Sequence, residues 1–311
     1  MKKISIFFAA ITLLLAGCQE EGEGFFLSGN ITGVEDGKKV YVSEYNSETN
    51  STSPLDTAVI KDGKFKLDMA EKDLPQLTYL KFEGVNGNVI FISENQKINF
   101  DIHKDSLRNA RIGGGKENKA LSEYLDHLNE LTRKMGNMQQ EMRQAMNSGD
   151  TAKFASLRKT QLEFRDNDAN FKKELFNRNK DSYLAVMLLT DMVKMKTLSN
   201  AEVREMYSEV SDRIKETPMA KNLEEFLEQN KAIEVGSKAP EFSGPTPDGE
   251  SLALNDNLGK VTIVDFWAAW CKPCRVENPN LVRTYNKYKD QGLSIVSVSL
   301  DRPGQKDRWI Q

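Results

Sequence analysis

Cysteine and histidine are scarce in this chain, and their scarcity excludes two kinds of structural site. Among 311 residues there are three cysteines and two histidines. Three cysteines cannot form a framework of several disulfides. His103 and His127 lie apart from each other and from every cysteine, so the sequence does not supply the second ligand pair that a structural zinc site needs. No metal site is predicted from these residues.

An excess of one charge and a long apolar run in the body of the chain are also missing. The formal net charge is −3, and Lys and Arg are dispersed. A dispersed pattern of this kind gives no basic face for nucleic acid, so no nucleic-acid partner is predicted. Beyond the first 18 residues no run is long and apolar enough to span a bilayer. The length of the chain suits two or three domains.

The N-terminus carries the signals of an exported protein. Lys2 and Lys3 precede an apolar run from Ile4 to Leu15, which is shorter than the roughly 20 residues of a membrane span. The run ends in Leu15-Ala16-Gly17-Cys18, which resembles the lipobox of bacterial lipoproteins. The resemblance implies a signal peptide over residues 1–18, cleavage before Cys18, and a lipid anchor on Cys18. The alternatives are an ordinary signal peptide and an N-terminal membrane helix.

Residues 19–24 are predicted to be a short polar tether, and residues 25–115 a β-sandwich-like domain. Residues 39–43 and 98–102 alternate apolar and polar side chains, as half-buried strands do. Asp62-Gly63 stands between two such runs, which is typical of a hairpin turn. Short strands with polar turns favour a small antiparallel sandwich. No catalytic constellation is found here, so docking is the favoured role.

Residues 116–233 change to helical periodicity and are predicted to be a helical hairpin followed by shorter helices. Asp150 is placed to cap the second helix, and Ser199 with Glu202 has the spacing of a capping box. An apolar stripe at intervals of three and four residues marks the first helix. Its methionines are Met135, Met138, Met142 and Met146. Thioether sulfur suits Cu(I), but methionine in such a stripe is usually core, and we favour the core interpretation.

Residues 234–311 contain the pattern that indicates chemistry. A β-branched apolar run over 261–267 predicts a buried strand, Cys271-Lys272-Pro273-Cys274 follows it, and the next residues predict a helix over 274–289 and a strand over 293–299. The cysteines therefore lie where a strand meets a helix N-terminus. First-turn amides and the helix dipole stabilise a thiolate there, which makes Cys271 the expected nucleophile. Cys274, one turn later, is close enough to resolve a mixed disulfide.

The segment FWAAWCKPCRVENP resembles the active site of thioredoxin-like proteins, and the approach to it, residues 236–249, is similar to the membrane-anchored TlpA/ResA-like thiol-disulfide oxidoreductases. The resemblance implies an α/β thioredoxin-like domain in which Cys271 and Cys274 form the redox disulfide. Asp265 stands where thioredoxins carry a buried acid, which takes a proton from Cys274. Trp270, Lys272 and Pro273 would shape the site: the first shields the pair, the second adds positive charge, and the third shapes the helix start. Residues 25–115 more loosely resemble the β-rich N-terminal domain of Bacteroidota-type lipoproteins.

These patterns together predict a membrane-anchored extracytoplasmic thiol-disulfide oxidoreductase without a cofactor. It would reduce disulfides in exported proteins, take electrons from a membrane donor, and face the periplasm, with surface exposure as an alternative location. A family member would continue past residue 311 with a helix, a strand entered by a cis-proline loop, a hairpin and a last helix, so a truncated domain is expected. A lipoprotein docking module with a vestigial redox domain is the alternative. A thioredoxin-fold peroxidase is a weaker one, because its cysteine normally stands alone after Pro and Thr.

Overall fold

The computed structural model describes residues 24–46, 49, 51–302 and 304–310. The predicted signal peptide, Cys18 and most of the tether lie outside the described residues. The chain divides into two compact units, Met1–Lys231 and Ala232–Gln311. Among the described residues, no helix combines the length and the apolar character that crossing a membrane requires.

From Phe25 on, the described residues of the first unit form eight strands, which make up two four-stranded sheets. In chain order they are β1 (Phe25–Thr32), β2 (Lys39–Asn46), β3 (Ser51–Val59), β4 (Lys64–Met69), β5 (Leu77–Phe82), β6 (Val89–Ile92), β7 (Lys97–His103) and β8 (Arg111–Gly113). The strand orders are β4-β1-β7-β8 and β3-β2-β5-β6. One pair, β1 with β7, is parallel, which corrects the expectation of a wholly antiparallel arrangement. The strands β1 and β7 lie side by side and run in the same direction.

Strand alternation builds the core between these sheets. In β7 every second side chain is buried, and the buried residues of both sheets join one apolar cluster. The turn between β3 and β4 has positive φ at both Asp62 (51°) and Gly63 (66°). This is the conformation of a type I′ hairpin, which Asp-Gly favours, and the predicted turn is therefore confirmed.

After these strands, the described part of the first unit contains six α-helices. They are α1 (Lys116–Ser148), α2 (Thr151–Arg178), α3 (Tyr183–Lys194), α4 (Asn200–Ser208), α5 (Asp212–Lys215) and α6 (Pro218–Gln229). The helices α1 and α2 form the long hairpin. The Asp150 side chain accepts from the Lys153 amide at the start of α2, and Ser199 with Glu202 forms a complete capping box on α4. Both predicted caps are confirmed.

The helix α3 is the centre of the helical core. Seven of its twelve residues are buried, and the surrounding cluster also includes Leu77 and Ile92 from the strands. The Asn118 side chain reinforces this contact, because it accepts from the Ile92 amide (2.9 Å) and donates to the Ile92 carbonyl (2.7 Å). Sheet and helices thus share buried contacts within the first unit.

The second unit contains a small hairpin and one βαβ arrangement. Its elements are β9 (Ser243–Pro245), β10 (Ser251–Ala253), β11 (Val261–Trp267), α7 (Lys272–Tyr288), β12 (Leu293–Ser299) and α8 (Lys306–Ile310). The strands β11 and β12 are parallel, in a register that pairs Val261 with Leu293 and Trp267 with Ser299. Both predicted strands have their predicted bounds. The helix begins two residues earlier than predicted, at Lys272, because Cys271 is its N-cap.

Candidate active site

Two cysteines meet at the junction between β11 and α7. The strand ends at Trp267, a short turn follows, and Cys271 caps the helix with non-helical backbone angles (φ −81°, ψ 93°). Cys271 and Cys274 are joined by a disulfide, with their Cα atoms 5.4 Å apart. One helical turn separates them, so the same helix N-terminus positions both sulfur atoms.

The sulfur of Cys271 faces the free amides of the helix. Its Sγ accepts a hydrogen bond from the Cys274 amide at 3.3 Å. First-turn amides lack partners within the helix, and the positive end of the helix dipole lies among them. Pro273 occupies the first turn, where its missing N–H removes no helical hydrogen bond. Negative charge that forms on this sulfur when the disulfide is reduced is therefore stabilised by groups already in place.

The turn before Cys271 is tied to the end of β12. The Leu300 amide donates to the Trp267 carbonyl at 2.8 Å, and the Ala269 amide donates to Oδ2 of Asp301 at 2.9 Å. Within the turn, the Cys271 amide donates to the Ala268 carbonyl at 3.0 Å. Asp301 was not identified from the sequence. The signal for it was Ser299-Leu300-Asp301, a pattern that forms local side-chain-to-backbone hydrogen bonds directly after a strand.

Two expectations about the surroundings of the pair are corrected by the structure. Trp270 is 71% exposed, so it is not a shield over the cysteines. Asp265 is half-buried, not buried, and no hydrogen bond of its side chain is found within the described part of the chain. Cys271 and Cys274 are both half-buried. Both differences have the same reason, because over the described range β11 pairs with β12 alone.

The remaining candidate residues differ in exposure and in location. Lys272 and Pro273 are exposed at the helix start. In the first unit, the methionine stripe runs from buried to exposed, with Met138 at 5% and Met146 at 64% exposure. His127, which appeared isolated in sequence, lies 2.9 Å from Asp168 through its Nε2 atom. The described residues contain no group of three or more His, Cys, Asp or Glu side chains that could hold a metal ion.

Comparison with known families gives three matches along the chain. Residues 1–19 match the prokaryotic membrane lipoprotein lipid attachment site. Residues 25–121 match a domain of unknown function (DUF4369), and residues 235–311 match the AhpC/TSA family. The first match supports the predicted lipid anchor on Cys18.

Curated relatives match the last part of the chain. The thiol-disulfide oxidoreductase ResA of Bacillus cereus is 34% identical over 76 residues, which are 24% of this chain and 44% of the relative. ResA of Oceanobacillus iheyensis is 40% identical over 78 residues, which are 24% of this chain and 41% of the relative. The C-terminal segment is similar to thiol-disulfide oxidoreductases. The resemblance inferred from the cysteine motif is thereby confirmed.

The similarity has a defined extent. The chain spans about half or less of the length of these relatives, 44% in the first case. A solved thioredoxin domain of a thiol-disulfide oxidoreductase from Bacteroides vulgatus is 48% identical, covers 23% of this chain and 51% of that chain, and has a TM-score of 0.22. The AhpC/TSA match, over residues 235–311, lies within the second unit, which contains Cys271 and Cys274.

Proposed function

We propose that this protein is a lipid-anchored, extracytoplasmic thiol-disulfide oxidoreductase that reduces disulfides in exported proteins. The observation that carries the proposal is the Cys271–Cys274 disulfide at the N-terminus of α7, with Sγ of Cys271 on the Cys274 amide. A sulfur held in this place is a stabilised thiolate after reduction and a good leaving group in exchange.

The reaction proceeds through two sulfur exchanges. The Cys271 thiolate attacks one sulfur of a substrate disulfide, a new S–S bond forms, and the other substrate sulfur leaves as a thiolate that takes a proton. Cys274 then loses its proton and attacks Sγ of Cys271, which forms the Cys271–Cys274 disulfide and releases the second substrate thiolate. Two electrons pass to the substrate. A membrane electron donor returns the pair to the dithiol.

The neighbouring residues have supporting roles in this proposal. Asp265, half-buried on β11, takes the proton that Cys274 loses in the second exchange. Lys272 places an exposed positive charge beside the thiolate, and Pro273 sets the start of the helix. The exposed Trp270 ring contacts the substrate, a role that replaces the shielding expected from the sequence.

The anchor places this chemistry at the membrane. Signal-peptide cleavage before Cys18 and acylation of that cysteine hold the protein in the cell envelope, facing the periplasm. Residues 25–115 and 116–233 act in docking and orientation, ahead of the thioredoxin-like domain at 234–311. Intact-mass measurement of the mature N-terminus tests the anchor, and a free Cys18, or an N-terminus beyond it, contradicts it.

Thiol alkylation against pH, on single-cysteine variants, tests the roles of the pair. With Cys274→Ser, we expect Cys271 to alkylate with a midpoint below about 8.5, the value of an unperturbed thiol. The same variant should trap a mixed disulfide with its substrate, whereas Cys271→Ser should abolish reduction. If Cys274 alkylates at the lower pH, the two roles are reversed. If neither cysteine titrates below that value, the pair is structural.

The second candidate function is a lipoprotein docking module whose redox segment is vestigial. The observation that favours it is the distribution of buried residues, since the large cores lie in the first unit. Replacement of both Cys271 and Cys274 by serine separates the two functions. Partner binding that survives unchanged, in a protein that never reduced a disulfide, would support the docking module.

A further inference from the structure

We propose that Asp301 is a positioning residue for the redox pair, because its carboxylate fixes the turn that presents Cys271 at the helix N-terminus. The inference rests on the proposed function. It concerns a residue that lies 30 positions after Cys271 in the sequence, beyond the strand β12.

The carboxylate of Asp301 is itself held in place. Its Oδ2 atom accepts from the Ala269 amide at 2.9 Å and from the Ser299 hydroxyl at 2.8 Å. The Ser299 hydroxyl oxygen in turn accepts from the Asp301 amide at 3.1 Å. Backbone and side chain at the end of β12 therefore form one small hydrogen-bonded turn, with the carboxylate directed at the segment that precedes the cysteines.

The contact lies close to the reacting sulfur along the chain. Ala269 is two residues before Cys271, and consecutive Cα atoms are about 3.8 Å apart, so the two Cα atoms are within about 7.6 Å. The Ala269 amide is the central tie of the turn, between the Leu300-to-Trp267 bond before it and the Cys271-to-Ala268 bond after it. Loss of the hydrogen bond between the Ala269 amide and Asp301 would let the turn before Cys271 move, and the orientation of Cys271 depends on that turn.

A second feature indicates that Asp301 is not there for stability alone. Its Oδ1 atom is buried and has no hydrogen-bond partner within the described residues. An unpaired buried carboxylate oxygen is destabilising, and such groups call for a functional explanation. Aspartate at this position therefore keeps its Oδ2 atom on the Ala269 amide, although its Oδ1 atom is buried without a partner and destabilises the fold.

The test uses the full protein with substitutions at two positions and one matched control. Asp301→Ala removes the acceptor. Asp301→Asn keeps an oxygen that can accept from Ala269 but removes the charge. Ser299→Ala removes the hydroxyl that holds the carboxylate, and Ser297→Ala is the control, because it changes the same residue type two positions earlier on the same strand.

Three quantities are measured for each variant. Hydrogen exchange of the Ala269 amide and the rate of disulfide reduction are measured with both cysteines present. The pH midpoint of Cys271 alkylation is measured in the Cys274→Ser background. For Asp301→Ala we expect faster exchange, a higher alkylation midpoint because Sγ leaves the first-turn amides, and a rate at least tenfold lower. Asp301→Asn should stay within threefold of the parent rate with its midpoint no higher than the parent's. Ser299→Ala should show a smaller change in the direction of Asp301→Ala, and Ser297→Ala none.

Several outcomes overturn the inference. An unchanged midpoint and rate in Asp301→Ala show that the contact does not position the sulfur. Equal downward shifts of the midpoint in Asp301→Ala and Asp301→Asn show that the residue acts only through its charge. If Asp301→Ala does not fold, Ser299→Ala decides, and no change there rejects the proposal. Failure of the proposed function is distinct from these results: the parent protein then reduces no disulfide, while amide exchange and alkylation still report whether Asp301 holds the turn.

Discussion

Similar sequence patterns lead to different degrees of burial in the two units of this protein. The helix α3 in the first unit buries seven of its twelve residues, whereas none of the 17 residues of α7 is buried. Strands show the same contrast, since β7 buries every second side chain and β11 leaves all seven partly or fully exposed. Apolar periodicity therefore predicts the type of an element, and the number of neighbours packed on it decides its burial.

The burial of charged side chains also differs between the two units. In the first unit, Lys172 is 3% exposed at its side chain and lies between Asp168 (2.6 Å) and Asp191. His127 extends this cluster, because it contacts Asp168 and stacks on Phe171 with ring centroids 3.8 Å apart. Burial lowers the pKa of Lys172, but the hydrogen bonds to both aspartates outweigh it and leave the pKa raised. The cluster joins α1, α2 and α3, whereas Lys272, the charged residue next to Cys271, is exposed to solvent.

The largest expected effect is on the buried cluster. Lys172→Met leaves two buried or half-buried carboxylates without their cation, and breaking a buried ion pair in this way costs about 3–5 kcal/mol. Lys134→Met is the matched control, because Lys134 pairs with Glu130 on an exposed helix face, where an ion pair contributes little to stability. Urea unfolding of both variants measures the difference. Equal losses would show that the cluster is not truly shielded from water.

The next effect compares the two helices directly through one substitution. Val186 on α3 is fully buried, and Val282 on α7 is 58% exposed. Val186→Ala removes two methyl groups from a packed core and is expected to cost about 1.5–3 kcal/mol, whereas Val282→Ala is expected to change stability by about 0.5 kcal/mol or less. Hydrogen exchange on each helix reports the two values separately. A large loss for Val282→Ala would mean that α7 is covered by something outside the described residues.

Much of the second unit could be predicted from the sequence, because its signals are local. The bounds of β11 and β12 follow from two β-branched runs, and the position of Cys271 follows from the strand that precedes it. The helix start was missed by two residues because a cysteine is not a usual N-cap, and only the Sγ contact to the Cys274 amide shows that it is one. Exposure of Trp270 and Asp265 depends on packing partners, which no local pattern contains.

The buried cluster of the first unit shows what sequence reasoning could not reach. Asp168 and Lys172 have the i, i+4 spacing of a helical ion pair, which usually indicates an exposed pair. The burial of this pair depends on two further residues: His127, which lies 41 residues before Asp168, and Asp191, which lies 19 residues after Lys172. Partners at such separations are fixed by the packing of three helices, so a single sequence gives no sign of them. The contact between Asp301 and Ala269, which are 32 residues apart, is likewise fixed by packing, although the local Ser299-Leu300-Asp301 pattern can be read in the sequence.

A smaller effect concerns pH and the buried Glu117. Its carboxylate accepts from the Ser182 hydroxyl and from the Tyr183 amide, and yet burial, with the charge of Glu94, raises its pKa above the ordinary 4.5. A pKa raised in the folded state stabilises the fold below the unfolded value, and that contribution is lost as pH rises through the folded value. The loss therefore falls in a window above about pH 4.5.

The variant Glu117→Gln removes this titration. Its side-chain oxygen can still accept hydrogen bonds from the Ser182 hydroxyl and the Tyr183 amide. We expect the difference in unfolding free energy between parent and variant to change with pH in that window, with the parent losing relative stability as pH rises. Urea midpoints at several pH values measure it, and the subtraction cancels carboxylates whose pKa is lowered, such as Asp181. A difference that stays constant with pH would contradict a raised pKa for Glu117.

The smallest effect separates buried from exposed positions within the methionine stripe. Met138 is 5% exposed, and Met146, two turns later on the same helix, is 64% exposed. Methionine and leucine have similar volumes, so Met138→Leu should cost less than about 1.5 kcal/mol, and Met146→Leu should be near neutral because its side chain has few contacts to lose. Thermal unfolding of each single variant gives these values.

The alternative interpretation of the stripe as a Cu(I) site makes a different prediction for the double variant Met138→Leu and Met142→Leu. The parent protein would bind Cu(I) tightly, and the double variant would lose that binding. A thioether ligand cannot be replaced by a hydrocarbon, whereas a core side chain can, so loss of Cu(I) binding with stability retained would show that the stripe is a ligand set.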